Sequence, residues 1–145
     1  MTGFFQQARD RLSREFQRHR SRPFMEATMA ASALVATADG EVNLTEASMI
    51  DQAIEAVAEL KLFDAHEETD LYRDWVVALA DDRAAAEAKI LKLVSNLAGD
   101  DHAARVLLKV CVAIGKSDAD FSAPEKDTIM RLAEAARIPM EEIGF

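Results

Sequence analysis

Cysteine occurs once in this 145-residue chain, as Cys111, so no disulfide can close within it and nothing marks a secreted scaffold. Glycine (5) and proline (3) are scarce, which leaves few positions for turns, and the aromatic content is low, with seven Phe, one Tyr and one Trp. No apolar run approaches the ~20 residues that a membrane span requires. The N-terminus has neither an apolar h-region nor a small-residue cleavage site, so it does not read as a signal peptide. Basic residues are outnumbered, 17 Lys and Arg against 26 Asp and Glu, for a net charge of −9. That balance argues against nucleic acid as a partner, because phosphate recognition needs clustered cations. The expectation is a cytoplasmic protein.

What is present is helix-forming sequence of a length that suits one domain. Half the residues are hydrophobic, Ala, Leu and Val chief among them, and no segment alternates with the period of a strand. The fold class expected is all-α, a single domain of about seven helices plus a short C-terminal helical turn. Phe5, Ala8, Leu12 and Phe16 give an amphipathic first helix, and Pro23 is expected to end it and open a second through Met25, Met29, Ala33, Leu34 and Ala38. A third carries Ile50, Ile54, Val57 and Leu60. Asp64 caps a fourth, with Glu67 three residues on, and Asp81-Asp82 separates it from a fifth. Gly99 fits a helix stop, and Asp100 or Asp101 the cap of a sixth. Its wide apolar arc (Ala104, Leu107, Leu108, Val110, Cys111, Val112, Ile114) predicts the most buried helix of the set and an inert thiol at Cys111. A seventh uses Ile129, Leu132, Ala133 and Ala136, and Pro139 opens the last turn.

Charge is unevenly distributed. Residues 1–23 hold six arginines against Asp10 and Glu15, a net of +4, whereas the remainder holds 11 basic and 24 acidic residues, a net of −13. The chain therefore divides into a basic amphipathic helix, residues 1–22, and a helical domain, 23–145. Two readings of the basic segment stand open. Phe5, Leu12 and Phe16 pack on the core while the arginines meet the acidic body, or the helix lies on an anionic membrane surface.

One acidic phrase occurs twice. Asp39-Gly40-Glu41-Val42, followed by Glu46, returns as Asp118-Ala119-Asp120-Phe121, followed by Glu125, at an offset of 79 residues. A helix–acidic turn–helix unit used twice, over about 24–80 and 83–145, would bring two carboxylate clusters to a pseudo-twofold axis. Cap chemistry accounts for part of the pattern. Asn43 and Ser122 are good N-caps with a glutamate three residues later, and Asp39-Gly40 makes a turn with positive φ at the glycine. It accounts less well for Glu41 and Asp120, which converge with Asp39 and Asp118 in turn or extended backbone. Clustered carboxylates repel unless a cation intervenes, and hard ions such as Ca²⁺ or Mg²⁺ prefer such oxygens. The standard EF-hand loop is excluded, since Glu46 falls at the eighth position counted from Asp39 and not the twelfth.

The phrases Arg22-Pro23-Phe24-Met25, Ala38-Asp39-Gly40-Glu41-Val42, Leu60-Lys61-Leu62-Phe63-Asp64, Ala113-Ile114-Gly115-Lys116-Ser117-Asp118 and Glu142-Ile143-Gly144-Phe145, with the Phe4-Phe5 pair at the start, together resemble the bacterial tellurite-resistance TerB family. The resemblance implies an all-α fold of two repeats and a role in the Ter stress-response system. It also implies a metal held by acids, here Asp39, Glu41, Glu46, Asp118, Asp120 and Glu125, and association with a TerC-like protein at the inner membrane. Ala119 departs from the glycine that the family favours. Its β-carbon opposes positive φ, so the Asp39 turn is the better candidate of the two.

No nucleophile elbow, glycine-rich phosphate loop or Cys-x-x-Cys pair is present, and His66-Glu67-Glu68 lacks the second histidine of a helical zinc motif. A non-enzymatic protein is expected. The alternative to a cation-binding adaptor is a metal-free interaction module whose acidic turns serve only as caps.

Overall fold

Thirty-five residues, Thr2–Ala36, form one continuous helix, α1, exposed over Phe5 to Ser13 and buried from Ala27 to Ala36. The computed structural model describes residues 2–40, Glu55, 60–116 and 121–143, without the side chains of 2, 4, 14–20 and 60. Pro23 lies inside α1, where the sequence predicted a boundary. Proline deletes one backbone hydrogen bond and crowds the preceding turn, at a cost of about 3 kcal/mol in a helix interior. Here Pro23 is on the exposed side of the helix. Arg22 beside it bonds Glu26 on α1 at 3.4 Å and Glu67 across the interface at 2.6 Å, holding the two halves in line.

From Phe24 onward α1 is buried almost all round: Phe24, Met25 and every residue from Ala27 to Thr37 are covered. A helix without a polar face belongs in a core, and its alanines (27, 30, 31, 33 and 36) let neighbouring backbones approach closely. This stretch, and not the sixth predicted helix, is the most enclosed segment. Both are central, and at the 79-residue offset Met25, Met29, Ser32 and Val35 correspond to Ala104, Leu108, Cys111 and Ile114, all buried.

Other described α-helices wrap this shaft. They are α2 (Ala65–Asp81), α3 (Arg83–Ser95), α4 (Asp101–Lys116) and α5 (Ala123–Ala136), with short 3₁₀ turns at Leu60–Leu62 and Met140–Glu142. Each of α2 to α5 packs against α1. Among the described residues there is no strand. The helix α2 runs in the same direction as α1, since Arg22 meets Glu67 near one end and Thr37 meets Arg83, just past α2, at the other. Asp82 alone separates α2 from α3. Its N–H donates to the Ala78 carbonyl and its carboxylate accepts from the Ala85 N–H, so one residue closes one helix and opens the next.

Asp100 caps α4 by accepting from the Ala103 N–H at 3.1 Å. Gly99 is not the stop predicted for the preceding helix: α3 ends at Ser95, Gly99 follows in a turn, and its φ is not positive. The stop of α5 falls on Arg137, at φ 59° and ψ 40°, with the Ile138 N–H bonded to the Ala133 carbonyl and Ile138 buried. This is a Schellman closure made without glycine. Arg131 pairs with Glu87, fastening α5 to α3, and Arg105 bonds Glu142 at 2.9 Å. Cys111 is fully enclosed and burial pushes its thiol up to about 12, so it stays protonated and inert, as expected from its place on the apolar arc.

The basic segment departs from the reading that packs it on the core. Phe5 is 76% exposed and Leu12 67%. The described helices of the acidic body pack on the buried second half of α1, whereas the side chains from Phe5 to Ser13 are exposed.

Candidate cation site at the two acidic turns

The first acidic turn is the unwinding end of α1. The Thr37 hydroxyl donates to the Ala33 carbonyl at 2.8 Å, and the Gly40 N–H bonds the Thr37 carbonyl at 3.0 Å. Gly40 has φ 85°, the left-handed backbone that its place after Asp39 predicted. Arg83 reaches across from α3, bonding the Thr37 hydroxyl at 3.1 Å and the Leu34 carbonyl at 3.5 Å. A guanidinium is well placed there, because the last carbonyls of a helix carry partial negative charge. Asp39 is exposed at the rim of this turn.

The second turn is described from Phe121 onward. Ser122 caps α5 in extended backbone, and the reciprocal capping box predicted from Ser122 and Glu125 is complete. The Glu125 N–H donates to Ser122 Oγ at 3.3 Å, while the Ser122 N–H and hydroxyl donate to Glu125 Oε1 at 3.2 and 2.8 Å. Pro124 occupies the first turn, where a missing N–H is harmless. Phe121, just before the cap, lies over Gly115: a β-carbon there would sit 2.8 Å from the ring. Lys126 Nζ covers the same ring, 5.5 Å from its centre.

The structure thus places Asp39 at the surface and buries Glu125, which is 2% exposed. Glu41, Glu46, Asp118 and Asp120 lie outside the described residues, as do Asn43 and Ala119. Among the described residues no group of three His, Cys, Asp or Glu side chains is arranged to hold a metal. The capping box engages Oε1 of Glu125. Its other oxygen, Oε2, is buried and has no hydrogen-bond partner among the described residues. A buried carboxylate oxygen left in that state carries a desolvation cost that the cap does not offset.

The family model described as "Tellurite resistance protein TerB" matches residues 25–144. The chain belongs to the TerB family. A "Tellurium resistance protein TerB" from Alcaligenes sp is 26% identical over 108 residues, covering 74% of this chain and 88% of the relative. No solved structure matches. TerB membership makes this a tellurite-resistance-related protein with an all-helical fold. The TerB match begins at Met25, two residues past Pro23, and leaves the basic segment outside it.

One further acid was not singled out from the sequence. Glu68 in α2 is fully buried, and neither of its carboxylate oxygens has a hydrogen-bond partner among the described residues. Burial, helped by the negative charges of Glu67 and Asp64, raises its pKa to about 7. The signal was present: Glu68 shares a helical face with Leu71, Tyr72, Trp75 and Leu79, so it stands where the stripe calls for an apolar side chain.

Proposed function

We propose that this TerB-family protein is a non-enzymatic component of a tellurite and chemical-stress response, binding a divalent cation at its acidic turns and acting as a cytoplasmic adaptor for TerC-like membrane partners. The observation that carries the cation reading is Oε2 of Glu125. Leaving a buried acceptor unsatisfied costs about 1–3 kcal/mol, more for a charged group, and a hard ion removes that cost. The acids that would complete the ligand set are Asp39, Glu41, Glu46, Asp118 and Asp120, with Ca²⁺ or Mg²⁺ the ions their chemistry favours. A bound ion would supply the charge that lets these carboxylates stand together, joining the ends of α1 and α4 to the helices that follow. The surface presented to a partner would then depend on ion occupancy.

A second reading, the metal-free interaction module, is favoured by the completeness of the Ser122–Glu125 box. Isothermal titration of chelator-treated protein with Ca²⁺ and Mg²⁺ separates the two. Binding heat in the wild type that disappears in Glu125→Gln and in Asp39→Asn with Asp118→Asn, with helical circular dichroism retained, supports the cation reading. Absence of heat up to about 1 mM ion, the weak end of protein Ca²⁺ sites, leaves the caps as caps.

A further inference from the structure

We propose that the first third of α1 is a docking surface for an anionic lipid bilayer. Phe5, Ala8 and Leu12 fall on one face of the helix, a stripe that Phe16 continues by its spacing. Every side chain from Phe5 to Ser13 is exposed, and the two large apolar ones are the most exposed of their kind among the described residues, at 76% and 67%. Arg9 and Arg11 lie in the same stretch, in a segment whose net charge is +4. An amphipathic helix with aromatic and aliphatic residues on one face and arginines around it lies in the headgroup plane of an anionic membrane. It does not cross, since none of the described helices is long and apolar enough to span.

The rest of the molecule discriminates between a lipid surface and a second copy of the chain. A second copy would attract the arginines to its acidic body, but it must also cover Phe5 and Leu12. The other large exposed apolar side chains described are Val77 on α2 and Met130 on α5, one to a helix. A groove of about 460 Å³ is lined by Leu71, Trp75 and Leu93 together with Lys89, Lys92 and Glu26, so its charged lining is on balance positive, like the arginines. A bilayer offers both a negative surface and an apolar interior at the depth of one helix radius. The body, at −13, is repelled by the same surface, so the segment binds while the acidic turns stay in solution. Its axis is set by the body, because α1 continues through Pro23 and Arg22 is tied to Glu26 and Glu67.

The inference is independent of the cation reading, and its test includes chelator so that no ion bridges protein and lipid. Full-length protein is floated with phosphatidylcholine vesicles, with and without phosphatidylglycerol, beside two variants, Phe5→Asp with Leu12→Asp and Arg9→Gln with Arg11→Gln. All four positions are exposed, so both variants should keep the wild-type melting curve. The expected result is flotation that requires phosphatidylglycerol, is lost at about 1 M salt, and falls about thirtyfold in the arginine pair, each cation being worth close to a factor of five. Equal flotation with neutral vesicles, or variants that bind like the wild type, would overturn the proposal. So would self-association in sedimentation velocity that the Phe5/Leu12 variant abolishes, which would make this face an interface between copies.

Discussion

The starts of α2 and α5 each bury a glutamate, and the two are held by different means. At α5 the Ser122 hydroxyl and N–H grip one oxygen of Glu125, so the side chain is drawn inward by its own helix cap. At α2 the cap is Asp64, which accepts from the His66 N–H at 2.8 Å, and Glu67 turns outward to Arg22. Glu68, next in line, is driven into the core by helical phase alone, with neither oxygen bonded among the described residues. One glutamate is placed by a local motif and the other by the face it happens to occupy. The motif compensates one oxygen of its glutamate, whereas phase compensates neither.

The largest effect that tests this contrast is on pH dependence. Below pH 4.5 Glu68 is neutral in both states; between 4.5 and about 7 the unfolded chain ionises first, so the folded state loses ground as pH rises. Above pH 7 the folded carboxylate is ionised too, and the deficit levels off at up to about 3 kcal/mol. Glu68→Gln should therefore raise stability above pH 7 and leave it little changed below pH 4.5, as read from urea unfolding on both sides of that window. An unaltered pH profile would mean that Glu68 is solvated.

A smaller effect is expected at the entrance to α5. Gly115→Ala sets a β-carbon against the Phe121 ring at 2.8 Å, and displacing that ring should cost about 1–3 kcal/mol in thermal or urea unfolding. Smaller still are the caps. Ser122→Ala and Asp64→Ala should each cost about 1 kcal/mol, and a much larger loss at Ser122 would show that Glu125 depends on it for more than a cap.

These contrasts also show what could be read from sequence. Apolar spacing located α2 to α5, and residue type marked the caps Asp64 and Ser122 and narrowed two others to Asp81-Asp82 and Asp100 or Asp101, because both signals are local; the helix expected through Ile50, Ile54 and Val57 lies outside the described residues. Gly40 was legible for the same reason. Pro23 was misread as a boundary because proline's preference is modest beside the packing of the 24–37 stretch on every side. The fate of Phe5 and Leu12 was not legible, since periodicity names an apolar face without saying whether the body supplies a surface to cover it. Arg83, which closes the first turn from 46 residues away in sequence, leaves no local trace at all. Of the six candidate acids, Asp39 and Glu125 lie among the described residues, one exposed and the other buried.

The unbroken run of α1 has a mechanical consequence. Thirty-five residues make a rod of about 50 Å, with one end in solvent and the other delivering Asp39 and Gly40 to the surface on the far side of the core. Each of α2 to α5 packs on that one helix, so a change of tilt passed along it beyond Pro23 would reach all four at once and the distant turn with them.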